Sequence, residues 1–191
     1  MKPERLMAFS DGVIAIIITI MVLELKAPHG AEWSALAPLA PIFLSYILSF
    51  IYVAIYWNNH HHLLQTVEKV DGTILWANMH LLFWLSLIPF ATAWMGENHF
   101  ESLPTALYGV PLLMSAIAYF ILQRALIQRH GESGQLAQAL GDDFKGKVSP
   151  ALYTLAIGLA FYMPKIALAI YVGTALMWFI PDRRIEKKLE G

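Results

Sequence analysis

Several polar side chains interrupt long apolar stretches of this sequence, and they are the residues best able to bind ions, transfer protons or form buried hydrogen bonds. In chain order they are Asp11, His60, His61 and Asn78. An ionised Asp at the centre of a membrane-spanning helix costs about 2.5–3.5 kcal/mol on insertion scales, so it needs partners there. Carboxylate, imidazole and amide groups together can form a hydrogen-bond network, relay protons or bind a metal.

Three of these groups occupy matching positions in their stretches: Asp11, His61 and Asn78. Each lies six or seven residues from a charged residue at the end of its stretch. Those charged residues are Arg5, Glu68 and Asp71. At about 1.5 Å per helical residue, the three groups lie at nearly the same depth. The residues beside them are Trp57, His60 and Trp76. We expect a buried cluster in which Asp11 accepts hydrogen bonds from His, Trp or Asn and fixes the first helix against the second and third.

The same side chains leave a proton relay and a metal or haem ligand set open as alternatives. Residues 60–62 are three consecutive histidines, and neighbours on a helix point about 100° apart, so they cannot all face one point. The spacings H-x-x-x-H and H-E-x-x-H, which are typical of metal sites, do not occur. The chain has no cysteine, which excludes thiolate ligands and thiol catalysis. We expect no bound metal and no cofactor.

The elements that position these groups are long apolar helices. Of the 191 residues, 58% are hydrophobic and 14% are charged, against about 25% charged in soluble domains. The apolar stretches cover 6–25, 36–64, 73–95, 103–122, 148–163 and 166–180. The first four reach the roughly 20 residues that a bilayer requires, and the last two are short. The sequence predicts an all-α integral membrane protein with six transmembrane helices in a single domain, 1–191; four spans and a re-entrant hairpin are the alternative.

Basic residues indicate how these helices are oriented. Of the 13 Lys and Arg, only Lys26 and Lys165 fall on the side opposite the termini. Because basic connections stay in the cytoplasm, both termini are predicted to be cytoplasmic. We also predict a cytoplasmic loop over 124–147, with a short helix at 135–140, and a basic cytoplasmic tail over 182–191. A net charge of −1 argues against a nucleic-acid partner.

The first helix also carries a stripe of residues on one face. At about 100° per residue, one face collects six residues, and Asp11 points roughly 120–140° away from it. These residues are Arg5, Gly12, Ile16, Thr19, Ile20 and Leu23. An apolar packing face is the commoner explanation of such a stripe, and the lining of a pore is the other.

Residues 5–12 contain the pattern R-x-x-x-F-S-D. This pattern resembles the signature at the start of helix one in the transmembrane-protein-175 family, whose animal members are lysosomal potassium channels. The segments WNNHH at 57–61, VD at 70–71 and LWAN at 75–78 are similar to that family's pattern in helices two and three. Six spans in a chain of 191 residues also match one repeat of the family.

The resemblance implies a channel that conducts K⁺ passively in preference to Na⁺. The pore would be lined by helix one of each subunit in a homotetramer, as in bacterial members. The channel would lie in the plasma membrane of a bacterium, surrounded by lipid. The implied constriction consists of Ile16, Ile20 and Leu23, and Thr19 has the implied role in selectivity. The sequence contains no T-V-G-Y-G carbonyl filter, so closed apolar rings are expected to block by dewetting.

The resemblance also implies a network that holds the motif residues against helices two and three. The residues involved are Arg5, Phe9, Ser10, Asp11, His60, His61, Trp76 and Asn78. A channel implies no enzymatic activity. Two other classes stay open: a membrane metal or haem enzyme that uses histidines 60–62 and His80, and a proton-coupled transporter in which Asp11 titrates. Broken helices mark transporters, and Pro89 and Pro111 are expected to break the third and fourth helices.

Overall fold

The computed structural model describes residues 2–65, 67, 69–130 and 144–179. These residues form seven α-helices, with two turns of 3₁₀ helix, Trp33–Ala35 and Ala37–Leu39, before the second. The helices are α1 (Pro3–Leu23), α2 (Ala40–Gln65), α3 (Gly72–Ser86), α4 (Ile88–Glu97), α5 (Ser102–His130), α6 (Phe144–Ala160) and α7 (Pro164–Phe179).

The predicted all-helical membrane architecture with six helical segments is confirmed, because α3 and α4 together form the third segment. Within the part of the chain that the structure describes, four segments are long and apolar enough to cross a membrane: Pro3–Leu23, Trp33–Gln65, Gly72–Glu97 and Ser102–Arg129. The last two helices, α6 and α7, have 17 and 16 residues and form the predicted short pair.

Two prolines that were expected to break helices behave differently. Pro89 lies in the first turn of α4, directly after the interruption at Leu87 that separates α3 from α4. A proline is tolerated in a first helical turn because its missing N–H has no intrahelical partner there. Pro111 lies inside α5, which continues past it to His130, so the expected break in the fourth segment is wrong. In lipid, neighbouring helices can satisfy the backbone groups that an internal proline frees.

The predicted cytoplasmic loop overlaps the ends of two helices. Residues 124–130 continue α5, and residues 144–147 form the first turn of α6. The short helix predicted at 135–140 and the basic tail at 182–191 lie outside the described residues.

The helices pack with α1 at one side of the bundle. The main neighbours of α1 are α2, α3 and α4, whereas α6 packs against α5 and α7. The core between them contains four fully buried tyrosines: Tyr52, Tyr108, Tyr153 and Tyr171. The Tyr52 hydroxyl donates to the Tyr171 carbonyl oxygen at 2.6 Å, and the Tyr171 hydroxyl donates to the carbonyl oxygen of Thr105 at 3.2 Å. These bonds satisfy hydroxyl groups that lie deep in the bundle.

Candidate functional site

The buried face of α1 is the face that packs on α2, α3 and α4. Its buried residues recur every three or four positions, as one side of a helix requires. They are Leu6, Ser10, Ile14, Ile17 and Met21. The stripe identified on the helical wheel is therefore not the packing face of α1 within this chain.

The opposite face of α1 is exposed and carries the candidate pore residues. Ile16 is 60% exposed and Leu23 is 72% exposed, with Ile20 and Phe9 also exposed. Arg5, Gly12 and Thr19 lie on the same exposed face. The helix thus presents a mainly apolar surface that no described residue of its own chain covers.

Ser10, Asn78 and His60 form one buried hydrogen-bond chain across three helices. The Asn78 Nδ2 group donates to Ser10 Oγ at 3.0 Å, and the Ser10 hydroxyl donates to the carbonyl oxygen of Leu6 at 2.9 Å. His60 Nε2 lies 2.7 Å from Asn78 Oδ1. Since an amide oxygen only accepts, His60 donates from Nε2. This series of hydrogen bonds fixes the rotation of α1 against α3 and α2.

Asp11 lies beside this series of hydrogen bonds and has a different partner. Its Oδ1 accepts a hydrogen bond from Trp57 Nε1 at 2.9 Å. The expected Trp donor is therefore present, whereas among the described residues no hydrogen bond joins Asp11 to His61 or Asn78, which the depth comparison placed level with it. Equal depth does not give equal direction: adjacent helical residues point about 100° apart, so Ser10 faces α3 while Asp11 faces Trp57 on α2.

His61 packs against Trp57, the residue that donates the hydrogen bond to Asp11. Its ring stacks on the Trp57 indole with centroids 5.7 Å apart, and its Nε2 accepts from Gln65 Nε2 at 2.8 Å. His61 Nδ1 is buried and has no hydrogen-bond partner among the described residues. Gln65 is a member of this arrangement that the sequence analysis missed; its spacing of four from His61 on one helix was the available signal.

Three residues of the predicted network lie apart from it. Arg5 and Phe9 are on the exposed face of α1, and within the described part of the chain the Arg5 guanidinium makes no hydrogen bond or ion pair. Trp76 is also largely exposed on α3. The expectation that helices two and three hold Arg5 and Phe9 is thus not met within one chain, because both side chains point away from those helices.

The histidines do not converge on a common point. His60 pairs with Asn78, His61 with Gln65, and His80 Nε2 accepts from Trp84 Nε1 at 2.9 Å, one turn along α3. Among the described residues, no group of three or more His, Asp or Glu side chains could hold a metal ion. This geometry gives no support to the metal or haem alternative.

The Thr19 hydroxyl donates a hydrogen bond within α1, and its oxygen stays exposed. The hydroxyl donates to the carbonyl oxygen of Ala15 at 2.9 Å, one turn earlier. A hydroxyl oxygen has two acceptor lone pairs, which remain free to face outward. At the exposed face of α1, Thr19 can therefore offer an oxygen to a cation or to water.

Comparisons with known proteins agree with this architecture. The family model described as endosomal/lysosomal potassium channel TMEM175 matches residues 5–89. A potassium channel of Chryseobacterium sp. (strain P1-3) is 58% identical over 190 residues, which cover 100% of this chain and 99% of that protein. The endosomal/lysosomal proton channel TMEM175 of Danio rerio is 27% identical over 135 residues, 68% of this chain and 25% of that protein.

A solved structure shows the same fold. The crystal structure of a lysosomal potassium-selective channel TMEM175 homolog from Chamaesiphon minutus superposes with a TM-score of 0.81 at 28% identity, over 93% of this chain and 96% of that chain. Identity along the whole length of a bacterial relative, together with the helical architecture, determines the assignment. This multi-pass membrane protein belongs to the TMEM175 family, a family of ion channels and not of enzymes.

Proposed function

We propose that this chain forms a potassium channel that conducts K⁺ passively, in preference to Na⁺, through a central pore of a homotetramer. The observation that carries the proposal is the exposed, mainly apolar face of α1. The described residues of a single chain leave this face uncovered, and four copies around an axis would turn four such faces toward one another. The bacterial relative's name, potassium channel, supports the choice of ion.

Ile16, Ile20 and Leu23 form the constriction in this proposal. All three side chains are exposed on the face of α1 that would line the pore, at successive positions along the second half of the helix. Hydrocarbon rings offer no oxygen to replace a hydration shell, so a narrow ring excludes water and ions by dewetting. Conduction then requires the rings to widen enough to admit a hydrated or partly hydrated ion.

Thr19 contributes to selectivity in the widened pore. Its exposed oxygen lies between the Ile16 and Ile20 levels, and its proton is held by Ala15. Four such oxygens can replace part of the hydration shell, which K⁺ releases more readily than Na⁺. The expected discrimination is modest, because hydroxyl groups supplement the water shell and do not substitute for all of it.

Asp11 belongs to the supporting structure and not to the ion pathway in this proposal. It lies on the flank of α1, half-buried, with Oδ1 bonded to Trp57. Ser10, on the buried face of α1, is held by Asn78, which in turn is bonded to His60. These contacts set which face of α1 points outward.

The proposed location is the plasma membrane of a bacterium, with both termini in the cytoplasm. The distribution of Lys and Arg supports this orientation, since only Lys26 and Lys165 fall on the opposite side.

Ion flux from liposomes tests the function. Vesicles containing the purified protein should release K⁺ faster than Na⁺ when each gradient is imposed separately, and proton flux is measured in parallel because the Danio rerio relative is named a proton channel. Thr19→Val keeps the shape and removes the oxygen, so the K⁺-to-Na⁺ flux ratio should fall by roughly fivefold, about 1 kcal/mol, while K⁺ flux persists.

Thr154→Val is the matched control for this substitution. Thr154 Oγ1 also donates to a carbonyl oxygen one turn earlier, but it lies on α6, away from α1. An unchanged ratio in Thr19→Val would remove Thr19 from the selectivity mechanism. Proton flux without K⁺ flux would overturn the assignment of the conducted ion.

A further inference from the structure

The surface of the bundle between α5 and α6 contains an open apolar groove of about 800 Å³. Its walls are aliphatic, with one hydroxyl and one phenol. The residues that define it are Leu113, Ile117, Ala151, Thr154, Gly158 and Tyr162. The Thr154 hydroxyl is bonded to the Pro150 carbonyl oxygen at 2.8 Å, so the groove wall presents no unsatisfied donor there.

Gly158 leaves the middle of this groove open. A Cβ built at Gly158 would meet no heavy atom within 4 Å, and the residue is exposed. Glycine is less favourable than alanine in the interior of a helix, and no close approach of another helix requires it here. The missing side chain therefore deepens the groove instead of permitting helix packing.

The position of the groove determines which molecule covers it. α1 packs against α2, α3 and α4, whereas α6 packs against α5 and α7. If α1 faces the central axis, as the proposed function requires, the outer side of α6 faces away from that axis. It then faces the bilayer and not a neighbouring subunit, so an acyl chain is the apolar molecule available to fill it.

One end of the groove is close in sequence to a positively charged residue. Tyr162 lies at this end and is 86% exposed, and Lys165 follows three residues later with an exposed side chain. Lys165 is one of the two basic residues predicted on the side opposite the termini, where such residues are disfavoured. Tyr and Lys at the end of a span lie at the depth of lipid headgroups.

We propose that this groove binds an anionic phospholipid. One acyl chain lies along α5 and α6 across Gly158, and the headgroup phosphate binds the Lys165 ammonium and the Tyr162 hydroxyl. The groove makes the site selective for a chain that can lie flat against the protein, and Lys165 makes it selective for negative charge.

Native mass spectrometry of the detergent-solubilised full chain tests both parts of the site. The probes are dioleoyl phosphatidylglycerol and dioleoyl phosphatidylcholine, titrated separately. Lys165→Gln should weaken phosphatidylglycerol binding about fivefold and leave phosphatidylcholine binding unchanged. Lys26→Gln is the matched control, because Lys26 is the other exposed basic residue on that side.

Gly158→Trp should fill the groove and remove one tightly bound lipid per chain, whichever headgroup is used. Gly173→Trp is the matched control: Gly173 is also an exposed helical glycine with open space around it, but it lies on α7 outside the groove. Gly158→Leu provides a smaller substitution if the indole disturbs folding. Both glycine variants should keep the K⁺ flux of the wild type, which separates this site from the pore.

Three results would overturn the proposal. Equal lipid retention by Gly158→Trp and Gly173→Trp would show that the groove holds no ordered chain. Equal phosphatidylglycerol affinity in Lys165→Gln and Lys26→Gln would remove the headgroup site. A changed oligomer mass in Gly158→Trp would show that a second copy of the chain, and not lipid, covers the groove.

Discussion

The helices α1 and α5 are both long and apolar, yet their surroundings differ. In an apolar stretch of 18 residues in α5, 50% of the residues are buried inside the chain, whereas in the equivalent stretch of α1 only 28% are. α5 packs against α3, α4, α6 and α7, and α1 packs only on one face. Because lipid gives no hydrophobic drive for helix association, the packing of α1 depends more on its polar contacts than the packing of α5 does.

The polar contacts of the two helices differ in a corresponding way. α1 is held by the chain from Ser10 through Asn78 to His60, in which Asn78 bonds to both other helices. In the core, the Tyr108 hydroxyl of α5 lies 3.0 Å from Ser49 Oγ, and Ser49 Oγ is also hydrogen-bonded to Thr92 Oγ1 at 2.6 Å. Losing one group should therefore matter more at α1, where few other contacts fix the helix.

The largest expected effect comes from Asn78→Ala. The substitution removes the acceptor of His60 and the donor to Ser10. The Ser10 hydroxyl keeps its bond to Leu6, whereas the buried His60 Nε2 group is left unpaired, which costs about 1–3 kcal/mol. Thermal unfolding of the solubilised protein should show this loss, together with altered ion flux from vesicles.

Asn98→Ala is the control for this substitution, because Asn98 Nδ2 donates to the Trp94 carbonyl oxygen at an exposed position. If both variants unfold at the same temperature, the chain through Asn78 does not hold α1.

A smaller effect is expected at the contact between Asp11 and Trp57. A hydrogen bond to a charged acceptor contributes about 1.5–3 kcal/mol, and partial exposure reduces that value here to about 1 kcal/mol. In a double-mutant cycle of Asp11→Ala and Trp57→Phe, the combined loss should be smaller than the sum of the single losses by this amount.

The cycle of Asp11→Ala with His61→Ala should show weaker coupling, since His61 reaches Asp11 only through the stacked Trp57 ring. A stable Asp11→Ala protein with altered conductance and altered block by divalent cations would instead make Asp11 an ion site.

The smallest effect is expected in the core, for Tyr108→Phe. Ser49 retains its bond to Thr92, so the loss should be about 1 kcal/mol, and ion selectivity should not change. Tyr46→Phe is the control and should be neutral, because the half-buried Tyr46 makes no hydrogen bond through its hydroxyl within the described part of the chain. A Tyr108→Phe protein that loses as much stability as Asn78→Ala would contradict the contrast between α1 and the core.

The sequence predicts the helices well because apolar length is a local property. The stretch at 6–25 corresponds to α1 with ends displaced by two or three residues, and the stretch at 103–122 corresponds to α5, which continues eight residues further. Whether a proline interrupts its helix was not predictable from the residue type alone, because Pro89 coincides with a break and Pro111 does not. Which of them interrupts a helix depends on whether neighbouring groups satisfy the freed carbonyl, and that is a tertiary property.

The site was predictable in depth but not in direction. Counting residues along the helices placed Asp11, His61 and Asn78 level with one another. The bonds nevertheless run from Ser10 to Asn78 and from Trp57 to Asp11, because the rotation of each helix decides which neighbour is reached. The helical wheel identified which residues of α1 share this face. It could not show that the face is exposed, because exposure depends on which helices cover the other side.

Accessibility of Ile16 to a water-soluble thiol reagent tests most directly whether the exposed face of α1 lines a pore. The chain has no cysteine, so Ile16→Cys provides a single reactive position. Leu176→Cys is the control, because Leu176 on α7 is 60% exposed, the same fraction as Ile16. With a charged methanethiosulfonate added to proteoliposomes, K⁺ flux through Ile16→Cys channels should fall sharply, while Leu176→Cys channels, whose thiol faces lipid, should be unaffected. Equal insensitivity of the two variants, with the Ile16→Cys thiol unmodified, would contradict a pore along α1.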